Sequence, residues 1–76
     1  MTLDMLPIGK KAEIISLHGN ENMKKRLLDL GIIPGTIIKS ILSSGKKDFV
    51  AYMVRRTLIA IRKEDAQNIK VRVIYD

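Results

Sequence analysis

The chain has 76 residues and no cysteine, and its Lys and Arg outnumber Asp and Glu by 14 to 8, a formal charge of +6. That length allows one domain, spanning residues 1–76, and domains near this size bury only about 60% of their unfolded surface, so packing must be efficient. Without a thiol, neither a disulfide framework nor a thiolate metal site is available to add stability. The basic balance favours an acidic partner surface, nucleic acid or anionic lipid, without choosing among them. The only aromatic residues are Phe49, Tyr52 and Tyr75, which leaves the core to Ile, Leu, Val and Met.

MTLDMLPIGKK at the N-terminus is interrupted by Asp4 and Pro7 and has no apolar run of signal-peptide length. No window approaches the ~20 apolar residues that a membrane span needs, so a soluble, cytoplasmic chain is expected. LPIG (6–9) reads as a turn. KKAEIISLH (10–18) reads as a strand whose apolar positions change phase at Ile14–Ile15, as at a bulge or barrel corner. GNEN (19–22) offers Asn20 or Asn22 as an N-cap, with Glu21 near the positive end of a helix dipole. Met23, Leu27 and Leu30 follow at i, i+4 and i+7, one stripe of an amphipathic helix. Lys24 and Lys25 lie away from that stripe, and Leu28 opens a second apolar direction.

Gly31 stands where a left-handed residue ends the helix, and a Schellman closure folds Ile32 back onto Leu27. Pro34 and Gly35 suit the central positions of a type II turn that launches a strand at Thr36. Ile33 is left unassigned, as core or as contact surface. TIIKSILSS (36–44) and DFVAYMV (48–54) read as strands joined by Gly45, Lys46 and Lys47. Phe49 and Tyr52 fall on opposite faces of the second. Arg55-Arg56 leads through a tight hairpin to TLIAIR (57–62), and KEDAQN (63–68) is a short helical turn. IKVRVIYD (69–76) alternates, with Ile69, Val71, Val73 and Tyr75 on one side and Lys70, Arg72 and Ile74 on the other. The sum is mainly β: a small barrel of about five strands with one helix inserted after the first long strand, which removes exposed sheet edges.

Little in the chain points to catalysis, and no enzyme is expected. His18 is the single histidine and has no placed partners, no nucleophile motif is present, and GxxxxGK[ST] is absent. Clustered imidazole and carboxylate ligands of the kind a divalent transition metal prefers are missing, so neither a metal site nor a cofactor is expected. The basic pairs spread along the chain, and the few aromatics argue against base stacking, so RNA binding is the alternative reading and not the first.

LPIGKKAEI, RLLDLGIIPGT and TLIAIRKEDAQNIKV resemble, in order and spacing, the FeoA family of small accessory proteins of bacterial ferrous iron transport. Arg26-Leu27, Leu30-Gly31-Ile32 and Pro34-Gly35 match the family's RL…LG…PG signature, and the likeness covers nearly the whole chain. It implies an SH3-like barrel and a partner, the membrane iron transporter FeoB. Arg56 departs from a glycine common at that hairpin, and SSGKKD departs from a frequent Gly-Asp-Pro. A related domain ends certain metal-dependent repressors, but no DNA-binding helices precede it here. The structural signature is then Gly31, Ile32, Pro34 and Gly35. The candidate partner contacts are Lys24, Lys25, Arg26, Leu27, Leu28 and Ile33, with Leu28 and Ile33 as an exposed apolar patch and the basic residues as its rim. Arg26 is also weighed as an arginine finger against a carboxylate-paired side chain. Self-association is left open.

Overall fold

A computed structural model describes residues 1–44 and 48–75. After a 3-10 turn at Leu3–Met5 come strand β1 (Lys11–Leu17), helix α1 (Glu21–Asp29), β2 (Ile37–Ser43), β3 (Phe49–Val54), β4 (Thr57–Arg62), the single-turn helix α2 (Lys63–Ala66) and β5 (Ile69–Ile74). All strand pairings are antiparallel and the order is β4-β3-β2-β1-β5. The two outer strands are joined by α2 and bring Ile59, Ile61, Ile69 and Val71 into the same core as Ala12, Ile14, Ile38, Tyr52 and Val54. The sheet is therefore curled around one apolar centre, the mainly β, five-stranded, single-helix architecture expected. The β2–β3 connection at Gly45, Lys46 and Lys47, and with it the SSGKKD departure, lies outside the described residues.

Local chemistry explains how the sheet curls. β1 pairs with β5 in register from Lys11 to Ile14 and again from Ser16, with a shift between them. The phase change at Ile14–Ile15 is thus a bulge: Ile14 is fully buried and Ile15 is turned out. A second bulge, between Ser40 and Leu42 in the β2–β3 ladder, was not signalled by the sequence. Bulges bend the strand that carries them and raise its twist, which closes a small sheet. The free edge of β5 is covered by the N-terminus, where Val71 N–H donates to Met1 O at 2.8 Å and Thr2 bridges Lys70.

The helix ends as a Schellman motif. Gly31 has φ +92°, Gly31 N–H donates to Leu28 O, and Ile32 N–H donates to Leu27 O, each at 3.0 Å. Ile32 and Leu27 are both buried, the apolar closure this motif carries. Thr36 N–H returns to Ile33 O at 3.0 Å, with Gly35 at φ +93°, as a type II turn requires. Two expectations are corrected. Leu30, expected on the buried stripe, is 45% exposed, because it is the C-cap residue and Ile32 takes the place below it. Tyr75 is exposed, because β5 has already ended at Ile74.

Tyr52 is the one aromatic residue in the core. Burial, with a smaller contribution from Asp4, pushes its phenol up to about 12, and its hydroxyl lies 3.5 Å from Leu3 O. The folded pKa exceeds the unfolded value of about 10. The folded state therefore holds the phenolic proton more tightly, so the stabilisation is complete below pH 10 and is lost as pH rises toward 12. Over that interval stability should fall by about 1.4 kcal/mol per pH unit from this group. Thermal melts of Tyr52→Phe across alkaline pH should show a flatter decline than wild type, an equal decline removing Tyr52 as its cause.

Arg55 and Arg56, at φ 50° and 69°, form the β3–β4 hairpin in the left-handed conformation, which costs a non-glycine residue roughly 1–2 kcal/mol. Arg56→Gly should raise unfolding stability by about 1 kcal/mol. Gly31→Ala should lower it by a similar amount through backbone strain alone, since a Cβ there meets nothing within 4 Å. Urea unfolding of the two variants reads both signs.

Candidate functional site

Helix α1 is capped by Asn20, whose Oδ1 accepts from Met23 N–H at 2.8 Å, and Glu21 sits in its first turn. With 3.6 residues per turn, Leu27 points into the core while Leu28 and Leu30 fall on opposite flanks of it. Leu27, one of the candidate contacts, is only 2% exposed and is corrected to a core position, since it fills the space closed by Ile32. Leu28, Leu30 and Ile33 are all exposed. Apolar bulk is thus left in solvent at the C-terminal end of the helix and in the turn that follows.

The two flanks differ. On one, Lys24 reaches Glu21 at 3.5 Å, and Leu28 lies one turn on. On the other, Leu30 lines a groove between α1, the outer face of β3 and β4, and α2, together with Arg26, Phe49, Ala60, Arg62 and Asp65. Phe49 faces outward because strand alternation sends Tyr52 inward. Arg62 pairs with Phe49 across the ladder, and its guanidinium lies 5.2 Å from the ring centre, within cation–π range. Arg26 Nη2 donates to Asp65 Oδ2 at 2.8 Å, tying α1 to α2 across the end of the groove. An arginine already paired this way is a clamp on the groove wall, the carboxylate-paired alternative to the finger. Lys25 is exposed and makes no ion pair among the described residues.

Of the groove residues just named, only Arg26 was among the sequence candidates; Leu30, Phe49, Ala60, Arg62 and Asp65 were not. The alternation of FVAYMV and TLIAIR carries the signal for Phe49 and Arg62, because each places its residue outward. For Leu30 the signal is Gly31, since a left-handed residue ending the helix makes the residue before it the C-cap, where the helical period no longer holds. The arrangement offers what a binding surface needs: aliphatic and aromatic area, rimmed by two guanidinium groups and one carboxylate. His18 is exposed, and its Nε2 lies 2.8 Å from Ser16 Oγ. Among the described residues no three His, Cys, Asp or Glu side chains converge as a metal-holding group. No helix among them is long and apolar enough to cross a membrane.

Residues 1–73 match the family model described as the FeoA domain. A protein of Campylobacter jejuni, named as a candidate Fe(2+) transport protein A, is 34% identical over 97% of this chain and 100% of its own. A fusion of Fe(2+) transport protein A with the Fe(2+) transporter FeoB, from Porphyromonas gingivalis, is 31% identical over 97% of this chain, which spans 9% of that protein. A crystal structure of Stenotrophomonas maltophilia FeoA complexed with zinc, described as a procaryotic SH3 domain protein, superposes with a TM-score of 0.81. That likeness has 27% identity and covers 93% of this chain and 88% of the other. The barrel is thus SH3-like, and the chain belongs to the FeoA family of ferrous iron transport.

Proposed function

We propose that this chain is a non-catalytic, cytoplasmic binding module that assists the FeoB transporter in bacterial ferrous iron uptake, with residues 1–76 acting as a single domain. The observation that carries this reading is the exposed apolar end of α1: Leu28, Leu30 and Ile33 in solvent, beside a groove that holds Phe49 and is rimmed by Arg26 and Arg62. Exposed apolar area rimmed by charge is a mark of interaction surfaces, and aromatic and arginine anchors supply most of the energy where such surfaces bind. The Porphyromonas relative, which joins the two proteins in one chain, supports FeoB as the partner. The contact runs along both flanks of α1, through Leu28 on one and Leu30 on the other, with Lys24, Lys25 and Arg26 as charged rim and Ile33 at the turn. Leu27 supports that surface from below and does not enter the contact. Iron is the cargo of the system in which the module works.

Titration of the chain into the cytoplasmic part of FeoB, with and without guanine nucleotide, and into full-length transporter in detergent tests this. Saturable binding is expected. Leu28→Asp, Leu30→Asp and Ile33→Asp should each weaken it about tenfold or more while changing folding stability by no more than about 0.5 kcal/mol. No binding to either form removes the proposal. A large stability loss in these variants returns the residues to the core.

A further inference from the structure

The strands carry their charge unevenly. Lys11, Lys39, Arg62, Lys70 and Arg72 are basic, and Glu13 is the only carboxylate in any of the five. Glu13 is itself held by Arg72. The register aligns Leu58, Met53, Lys39, Lys11 and Ile74 as one row across all five strands, in sheet order. Alternation turns the row outward, since the neighbours Ile59, Tyr52, Ile38 and Ala12 are in the core and Val73, beside Ile74, packs against it. Two lysines therefore stand directly opposite each other at the middle of the row, with apolar side chains on both sides. Like charges in that position destabilise a sheet, so the fold itself does not account for the pair.

The surroundings extend the same pattern. Lys10 joins the ladder beside Lys39, its carbonyl accepting from Ser40 N–H at 3.0 Å. Arg55 and Arg56 form the hairpin that follows Met53 and precedes Leu58, and both are exposed. Among the described residues none of these five cations makes an ion pair. Ile8, Leu58 and Tyr75 are exposed around them, and Tyr75 lies against Lys10, Lys11 and Lys39 in one shallow cleft. Among the described residues the one carboxylate on this face is Glu13, held by Arg72; the others are Asp4 in the 3-10 turn, Glu21 and Asp29 on α1, Glu64 and Asp65 on α2, and Asp48 at the end of β3 remote from the hairpin. An open surface that alternates unpaired lysine with aliphatic and aromatic side chains suits a lipid headgroup layer. Cations there meet phosphates, and apolar tips enter the boundary beneath. An acidic protein surface calls for matched shape as well as charge, and the row offers only the one cleft beside Tyr75, which reaches Lys11, Lys39 and Ile74 and stops short of Met53 and Leu58.

The geometry points to this outer row, centred on Lys11 and Lys39 with Lys10, Arg55 and Arg56, as a docking surface for an anionic phospholipid membrane. It is centred on β1 and β2 and adjoins the groove only through β3, β4 and the contact of Arg55 with Thr36; Leu28, Lys11 and Lys39 each belong to one surface alone, so variants there make its failure and that of the FeoB contact separable.

The test is co-sedimentation of the full chain with vesicles of phosphatidylcholine alone and with about one-third phosphatidylglycerol, at low and high salt. Binding is expected only to the anionic vesicles and should fall as salt rises. Lys11→Gln with Lys39→Gln should weaken it roughly 25-fold, about fivefold for each lysine. The melting temperature of that variant should stay level or rise, because an opposed like-charge pair is gone. Leu28→Asp should sediment as wild type does. The inference is overturned if the chain ignores anionic vesicles at low salt, binds both kinds alike, or sediments unchanged without the two lysines. It is equally overturned if polyglutamate or an RNA homopolymer binds more tightly than the vesicles, or if inorganic phosphate displaces them without altering the ionic strength.

Discussion

One backbone conformation, the left-handed Gly31, decides how the helix meets the barrel. With φ at +92° the chain reverses after Leu30, and Ile32 is carried underneath to seal Leu27. The Pro34-Gly35 turn is then delivered against β1, where Gly35 N–H donates to Ile14 O at 2.7 Å and Ile14 N–H donates to Thr36 O at 2.9 Å. The helix end is thus pinned to the strand one residue before its bulge. Because only Leu27 and Ile32 fit beneath, the remaining aliphatic side chains of RLLDLGII have no interior position to occupy. The apolar bulk at this connection is therefore split by one glycine into a buried pair and an exposed set.

What the sequence made legible follows the range of the interaction responsible. The N-cap, narrowed to Asn20 or Asn22, the left-handed Gly31, the turn at Pro34-Gly35 and the two-residue hairpin at Arg55-Arg56 are each governed by a few adjacent residues, and each was readable. The bulge at Ile15 was readable because it breaks a period. Leu28 and Ile33 emerged as exposed by elimination, once the Schellman closure had claimed its two partners. Leu30 was misread because periodicity continued past the point where the helix stopped. The pairing of Arg26 with Asp65, the stacking of Arg62 on Phe49 and the five-strand row were out of reach. All three depend on register and on elements joined across the fold, which composition does not encode locally.

The two outer surfaces differ in kind. Around the groove Arg26 is already matched with Asp65 and Arg62 lies over the Phe49 ring, so the exposed aliphatic and aromatic groups set its character. Across the sheet Glu13 alone is matched, by Arg72, and one sign prevails. The first surface discriminates by shape, and the second responds to field and ionic strength.

The pairing of β1 with β5 joins the two ends of the chain, from Lys11 opposite Ile74 to Leu17 opposite Ile69. The β2–β3–β4 meander, by contrast, is made of neighbours. Loop closure favours the local ladders first, so during synthesis the meander can assemble while β1 still lacks half of its hydrogen bonds. The core becomes complete only when residues 69–74 clear the ribosome. Until then Ala12 and Ile14 face water, and β1 with its helix is the segment most in need of shelter on a nascent chain.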